Sequence, residues 1–154
     1  MSVLENRIAI ITGSSSGIGA GVAEAFATEG ATVIINYPDE SELQNAQNTL
    51  NKVIHLSPQS QIIQANVSSE DEVISMINEI NSIHGTIDIL VNNAGIATSA
   101  PVHEMTSSMW DELISIHLKG TFLCTREVLK IMYKKNYGKI INTASQLAYK
   151  GSAG

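Results

Sequence analysis

The sequence is poor in cysteine and in basic residues, and it lacks any long apolar run. One cysteine, Cys124, permits no internal disulfide. We expect it to be a small buried apolar side chain rather than a nucleophile. Nine Lys and Arg against 15 Asp and Glu give a formal charge of −6. This balance argues against nucleic acid or an anionic membrane as a partner, because both bind concentrated basic residues.

Signal, membrane-spanning and repeat segments are also absent from the sequence. Residues 1–7 have neither the basic flank and apolar core of a signal peptide nor the length of a membrane span. No repeat, low-complexity run or linker interrupts the chain, and its 154 residues are 44% apolar and 16% charged. That composition is sufficient for one hydrophobic core. We therefore expect a single cytoplasmic domain over residues 1–154, without a metal site.

An apolar run from Arg7 to Thr12 stops at a glycine-rich turn and passes into a helical pattern. Continuous apolar runs are typical of strands in a parallel sheet that is buried on both faces. Gly13, Gly17 and Gly19 follow within a few residues, and glycine allows close approach to a ligand. A helix beginning near Gly17 directs its unpaired amide groups at the turn, which predicts a pyrophosphate site. A tight strand-to-helix connection is the alternative.

Strand and helix patterns alternate along the rest of the chain. Further strands are predicted at residues 32–37, 61–66, 87–93 and 139–143. Helices are predicted at 17–30, from a capping box at Ser41 to about 55, from a cap at Ser69 onward, and at about 106–135. Right-handed crossovers then give an α/β fold with a Rossmann-type doubly wound parallel sheet of order 3-2-1-4-5. The ligand crevice is expected beyond strands one and four.

Two helices carry more specific expectations. The first places an apolar stripe at helical spacing, consisting of Ile18, Val22, Ala25 and Phe26. The last contains Gly120, which is expected to bend it.

Small or polar residues follow three of the strands that should reach the crevice, at 13–19, 92–95 and 142–145. Asn93, Ala94 and Gly95 are predicted to line the dinucleotide site. Asn92 is interpreted instead as a strand-end residue that satisfies neighbouring backbone groups.

The glycine turn has the form TGxxxGxG, and Asn92-Asn-Ala-Gly95 follows the fourth strand. Together with Trp110-Asp111 and residues 138–145, these motifs resemble the short-chain dehydrogenase/reductase family, in particular its 3-oxoacyl-[acyl-carrier-protein] reductase type. The resemblance covers nearly the whole chain. It implies hydride transfer between NAD or NADP and a small-molecule carbonyl or alcohol such as a 3-oxoacyl thioester. It also implies a homodimer or tetramer in which the long helix pairs between subunits.

The resemblance further implies a serine that holds the substrate oxygen and a tyrosine that transfers the proton. The pKa of free tyrosine is about 10, so a lysine four residues later must stabilise the phenolate. Ser145 matches the serine, with capping of a strand end as the alternative. The YxxxK motif lies further beyond Ser145 than residue 154, so we expect a domain that is incomplete at its C-terminus and inactive alone. Tyr149 and Lys150 are interpreted as solvent-facing loop residues.

His117 stands where the family has an asparagine that orders a water molecule. Histidine can also bond water. A helix histidine satisfied by local backbone is the alternative.

The resemblance places a set of residues around the cofactor: Gly13, Ser15, Ser16, Gly17, Ile18, Gly19, Asn36, Tyr37, Asn66, Val67, Asn93, Ala94 and Gly95. For Asn66, capping of a strand end is the alternative.

An acidic residue at the end of the second strand favours NAD, whereas a basic residue there or in the glycine turn favours NADP. Tyr37 occupies the acidic position, and Ser16 and Pro38 occupy the basic ones, so neither rule is met. Asp39 and Glu40 would repel a 2′-phosphate, which favours NAD. The side chains of Ser14, Ser15 and Asn36 can hydrogen-bond either ribose.

Two other interpretations stay open. The chain can be a non-catalytic dinucleotide-binding or oligomerisation module, or a truncated product without a function of its own. In either case the fifth strand would be an open sheet edge that promotes self-association.

Overall fold

Five parallel strands form one sheet in the order β3-β2-β1-β4-β5. The structure is a computed structural model that describes residues 2–98 and 100–150, so the predicted domain limits at 1 and 154 lie outside the described residues. The strands are β1 Ile8–Ile11, β2 Thr32–Tyr37, β3 Gln61–Gln64, β4 Ile89–Asn92 and β5 Lys139–Asn142. The predicted doubly wound α/β fold is confirmed, and the winding reverses between β1 and β4.

The three central strands, β1, β2 and β4, are buried along their whole length. Ile10 of β1 lies beside Ile34 of β2 on one side and Leu90 of β4 on the other. Burial on both faces removes the polar alternation of an exposed strand, which explains the continuous apolar runs. Since every strand is parallel, the carboxyl ends meet at one edge of the sheet.

Helices cover both faces of the sheet. They are α1 Gly17–Thr28, α2 Leu43–Val53, α3 Glu70–His84, α4 Ser107–Ile114, α5 Gly120–Met132 and α6 Leu147–Lys150. One core cluster joins α1 and α2 to the sheet, and a second joins α3 and α5 to its other face. No helix among residues 2–98 and 100–150 has the length and apolar character needed to cross a bilayer.

The inward face of α1 differs from the predicted stripe. Its buried positions are Gly19, Ala20, Ala23 and Ala27. Of the four residues of that stripe, Val22 and Phe26 are half-buried and pack against the core, whereas Ile18 is 72% exposed and Ala25 is also exposed. The buried residues are all small, which lets the helix axis approach the sheet closely; larger side chains would hold it away.

The start of α2 also differs from the sequence expectation. The predicted capping box at Ser41 is wrong, because Asp39 accepts the Ser41 backbone N–H at 2.9 Å and begins a short 3₁₀ helix over Glu40–Glu42. The α-helix starts only at Leu43. The intervening turn places Glu42 at the junction of the two helical segments.

The long helix predicted at about 106–135 consists of α4, a π-helical segment at Ser115–Lys119, and α5, followed by a 3₁₀ turn. The departure from α geometry therefore precedes Gly120, whose φ of −59° is helical. A Cβ at Gly120 would lie 2.7 Å from Cγ2 of Val67. This glycine serves close packing against the loop after β3 rather than the predicted bend.

Two smaller predictions have clear outcomes. Cys124 is fully buried in the core between α5 and the sheet, and burial raises the pKa of its thiol to about 12, as expected of an inert apolar residue. Tyr149 and Lys150 are exposed as predicted, but they lie in α6, so their assignment to a loop is wrong.

The amino ends of the strands are joined by a buried carboxylate. The Asp88 side chain accepts the backbone N–H of Ile8 at 2.9 Å and pairs with Nζ of Lys135 at 2.6 Å. These bonds connect the starts of β1 and β4 with the end of the long helix. They hold the sheet at the edge opposite to the one where the predicted site residues lie.

Candidate functional site

A cleft of about 570 Å³ opens at the carboxyl edge of the sheet, where the winding reverses between β1 and β4. All the predicted cofactor-binding residues except Gly19 and Tyr37 line it. The structure thus brings together segments from the glycine turn, the end of β2 and the loops after β3 and β4. The remaining lining residues are Pro38, Asp39, Glu42, Ala65, Ile96, Glu112 and Ile116.

The three glycines of the turn have different roles. A Cβ at Gly13 would lie 2.8 Å from Cα of Ala94, and one at Gly19 would lie 2.6 Å from Nδ2 of Asn93. These two positions therefore allow the turn and α1 to pack against the loop after β4, not only against a ligand. Gly17 has a φ of +58°, and no described residue lies within 4 Å of a Cβ built on it. Of the three glycines of this turn, only Gly17 combines a left-handed backbone with open space.

The N-terminus of α1 is uncapped at the cleft. Ser16 is the N-cap residue, in an extended conformation, and its side chain makes no capping hydrogen bond. The first turn of the helix contains no acidic residue. The first N–H groups of a helix have no partner within it and carry partial positive charge. The cleft therefore presents backbone donors suited to an anionic group such as a phosphate.

Thr12 joins the glycine turn to the loop after β4. Its Oγ1 accepts the backbone N–H of Asn93 and that of Ala94, each at 3.0 Å. The Asn93 amide donates in return to the carbonyl oxygens of Thr12 and Gly13, both at 3.0 Å. Thr12 was not among the predicted site residues. Its position at the end of the apolar run is the sequence feature that could have indicated this role.

Asn36 and Ser14 use their polar groups inside the protein. Oδ1 of Asn36 accepts the Gly13 N–H at 3.1 Å, and its Nδ2 donates to the carbonyl of Ala65 at 2.9 Å. The Ser14 hydroxyl is buried and donates to the carbonyl of Ile11 at 2.6 Å. Asn36 thus joins the turn to β2 and to the residue after β3, whereas Ser14 bonds the end of β1, from which the turn emerges. The expectation that Ser14 bonds a ribose does not fit this geometry.

Ser15 connects the glycine turn to α2. Its hydroxyl donates to Oε2 of Glu42 at 2.7 Å, and its carbonyl accepts the Thr49 hydroxyl at 2.8 Å. Glu42 and Asp39 line the cleft, whereas Glu40 does not. Hydrogen bonds from Ser41 hold the pKa of the Asp39 carboxyl below its ordinary value. Sequence reasoning missed Glu42 because it assigned the helix start to a capping box.

Two other predicted residues, Asn66 and Tyr37, direct their side chains to partners within the protein. Oδ1 of Asn66 accepts both the hydroxyl and the backbone N–H of Ser68, at 2.7 and 3.0 Å, which agrees with its alternative role as a strand-end cap. The Tyr37 side chain packs in the core with Ala46 and Val53. Burial, and secondarily the charge of Glu40, raises the pKa of Tyr37. The structure does not bring this phenol to the cleft.

Comparison with known proteins agrees with this architecture. The family model for short chain dehydrogenases matches residues 7–154. This chain belongs to the short-chain dehydrogenase family. The match includes the glycine turn, all five strands and the residues that line the cleft.

Individual relatives of this short-chain dehydrogenase chain are 36–39% identical to it. An uncharacterized oxidoreductase, YxbG, of Bacillus subtilis is 39% identical over 94% of the chain and 52% of the relative. The 3-oxoacyl-[acyl-carrier-protein] reductase FabG of Staphylococcus epidermidis is 38% identical over 97% and 60%. A 3-oxoacyl-[acyl-carrier-protein] reductase of Synechocystis is 36% identical over 100% and 62%. The chain therefore spans between half and two thirds of the length of these curated relatives.

His117 of this short-chain dehydrogenase lies in the π-helical segment and bonds the loop after β4. Its Nε2 is 3.1 Å from the backbone nitrogen of Ile96 and 2.9 Å from the carbonyl oxygen of the same residue. A Cβ at Gly95 would lie 2.4 Å from Cε1 of the ring. The partner is thus backbone, as the alternative interpretation proposed, but it belongs to a segment 21 residues away rather than to the same helix.

Two further predicted residues lie at strand ends: Ser145 follows β5, and Asn92 is the last residue of β4. Ser145 is exposed and its hydroxyl accepts the Leu147 N–H at 3.2 Å, at the start of α6; it does not line the cleft. The Asn92 amide donates to side-chain oxygens of Asn142 and Thr125, at 2.9 and 3.1 Å. Asn92 therefore has a structural role, although its partners are side chains instead of the predicted backbone groups.

The His117 contact predicts a loss of nucleotide affinity when it is removed. In His117→Leu, the backbone of Ile96 loses its hydrogen-bond partner, which we expect to cost about 1 kcal/mol of unfolding free energy. The loosened loop should weaken NADH binding about threefold to tenfold. His117→Asn, which keeps a side-chain acceptor, should restore most of both. Urea unfolding and titration of NADH fluorescence measure the two effects.

His103→Leu is the matched control, since His103 is exposed and does not line the cleft. It should leave both quantities unchanged. Unaltered NADH affinity in His117→Leu would show that this histidine does not position the loop.

Proposed function

We propose that this chain is the dinucleotide-binding part of an NAD(P)-dependent oxidoreductase. The reaction is hydride transfer between a nicotinamide and a carbonyl or alcohol such as a 3-oxoacyl thioester. The observation that carries the proposal is the uncapped N-terminus of α1, which faces open space at Gly17 where the sheet reverses its winding. Ligands of doubly wound folds bind at this point. The similarity to 3-oxoacyl-[acyl-carrier-protein] reductases supports the substrate class.

The residues of the cleft fit a dinucleotide. The volume of the cleft, about 570 Å³, lies within the range of cofactor sites. A pyrophosphate would lie against the backbone of residues 15–18, with the adenosine half toward Asn66 and Val67. The nicotinamide half would lie toward residues 93–96, which Thr12 and His117 hold in place. When bound, the cofactor supplies or accepts the hydride.

The catalytic roles follow the family resemblance. Ser145 is proposed to hold the substrate oxygen, and His117 to support the loop beside the nicotinamide. No tyrosine in the 154-residue sequence is followed by a lysine four residues later. The chain thus has a place for the cofactor and a candidate substrate-orienting hydroxyl, without the tyrosine and lysine pair that moves the proton in the family.

A Gly17 substitution tests the phosphate site directly. In Gly17→Ala the added methyl group projects into the space assigned to the pyrophosphate, and the left-handed backbone is strained by about 1 kcal/mol. We expect NADH affinity to fall about tenfold or more. Gly85→Ala is the matched control because Gly85 also has a positive φ with open space around it, but caps α3 away from the cleft.

Both variants should lose similar unfolding free energy in urea, and only Gly17→Ala should lose affinity. Equal NADH binding by the two variants would contradict the proposed phosphate site.

The absence of the proton-transfer pair predicts binding without turnover. The purified 154-residue chain should bind NADH yet reduce a short 3-oxoacyl thioester at least ~10²-fold more slowly than a complete enzyme, because a positioned general acid contributes about 10²–10⁴-fold. The decrease in NADH absorbance in the presence of the thioester measures the rate. A complete 3-oxoacyl reductase assayed in parallel is the control, and comparable rates would refute the prediction.

The exposed face of the long helix supports a homo-oligomer. Trp110, Leu118 and Phe122 are 57%, 63% and 57% exposed, and all three lie within the long helix. Large apolar side chains grouped in this way are typical of interfaces. We propose that this face pairs with a second copy of the chain in a dimer or tetramer. The same face would serve a non-catalytic oligomerisation module.

Disruption of this face should produce monomers. Phe122→Glu adds a charge to the centre of the interface, so sedimentation velocity should show a smaller species than the unaltered chain at equal concentration. Ile83→Glu is the control: Ile83 is 54% exposed, but lies on α3. Dissociation by both variants, or by neither, would contradict an interface on the long helix.

A further inference from the structure

The charged side chains among the described residues of the cleft are all carboxylates. Its lining includes Asp39, Glu42 and Glu112, and no Lys, Arg or His is among the lining residues that the structure describes. Resting on the proposed function, we propose that Glu42 is the residue that makes the cleft select NAD(H) over NADP(H). The inference concerns the ribose of the adenosine half, which lies at the end of the second strand in doubly wound folds.

Hydrogen bonds hold the Glu42 carboxylate beside the glycine turn. The Ser15 hydroxyl and the Asn45 amide both donate to Oε2, at 2.7 and 3.1 Å. Among the described residues no hydrogen bond is made to Oε1. The Ser15 carbonyl is itself bonded by Thr49, a buried residue of α2, so the turn and the helix are connected at two points. The carboxylate is therefore oriented, with one oxygen left to accept from a ligand.

The position of Glu42 supplies the acidic group that the strand itself lacks. Tyr37, at the end of β2, is directed into the core. The strand ends before Pro38, and the 3₁₀ turn reverses the chain. As a result Glu42, five positions after Tyr37, lines the cleft. Asp39 also lines the cleft, but it is exposed and its carboxylate accepts from Ser41. Solvent screens its charge more than that of the half-buried Glu42.

The two cofactors differ at this point by one phosphate. The ribose of NAD has free 2′- and 3′-hydroxyls that can donate to Oε1, and hydrogen bonds to a charged acceptor are the stronger kind. A 2′-phosphate replaces a donor with about −1.5 to −2 charges. Beside an oriented carboxylate, and without a lysine or arginine to neutralise it, that phosphate is repelled. Glu42 therefore acts in both directions, binding NAD(H) and excluding NADP(H).

The experiment measures the affinities of the full 154-residue chain for NADH and NADPH by nucleotide fluorescence. We expect NADH to bind about 30-fold tighter or more at low salt. Glu42→Gln removes the charge at nearly constant shape, so NADH should bind about threefold to tenfold more weakly and NADPH more tightly. The ratio of the dissociation constant for NADPH to that for NADH should therefore fall at least about tenfold.

Glu40→Gln is the matched control. Glu40 lies two residues before Glu42 and carries the same charge, but its side chain does not line the cleft. Its ratio should stay within about twofold of the unaltered chain. Ser15→Ala keeps the Glu42 charge but removes one of the bonds that orients it, and should lower the ratio less than Glu42→Gln does. Circular dichroism confirms that each variant is folded.

The outcomes separate the two proposals. If NADH and NADPH bind equally, or NADPH binds tighter, the inference is overturned while the dinucleotide site stands. If Glu42→Gln and Glu40→Gln change the ratio by the same factor, net charge and not Glu42 sets the preference. If neither nucleotide binds, the proposed function fails and the inference with it.

Discussion

The cleft depends on the close contact between the glycine turn and the loop after β4. Two glycines remove the side chains that would separate these segments, and the Thr12 hydroxyl accepts two backbone N–H groups across the gap. The Asn93 amide closes the same contact from the other side. Because the two strands that carry these segments pair within the sheet, the contact fixes the floor of the site at the reversal of winding.

Polar side chains around the turn mostly satisfy the protein itself. Ser14 bonds the end of β1, Asn36 the residue after β3, and Ser15 the 3₁₀ segment before α2. The donors left for a ligand are then backbone N–H groups, which a rigid helix terminus aims without the entropy cost of ordering side chains. Donors of this kind suit the diphosphate that all dinucleotides share. They would not distinguish one dinucleotide from another, so that any such distinction would depend on groups further along the cleft.

The sheet and its order were predictable from the sequence because β1, β2 and β4 are buried on both faces and read as uninterrupted apolar runs. The positions of the glycine turn and of residues 93–95 followed from the same pattern. The face of α1 was not predictable from apolar periodicity, since alanines and a glycine, rather than Ile18, make the tight contact with the sheet. Glu42 was missed for a similar reason. A shift of about one or two residues in where α2 begins decides which carboxylates reach the cleft, and capping preferences alone do not resolve such a shift.

The π-helical segment at Ser115–Lys119 has a consequence for both ends of the long helix. Each turn of a π-helix holds more residues than the roughly 3.6 of an α-helix. A regular α-helix over the same residues would therefore direct the side chains before the segment at a different angle relative to α5. His117 would then no longer meet the loop after β4, and the angle between Trp110 and Phe122 would change. The support of that loop and the relative orientation of α4 and α5 are thus set by the same five residues.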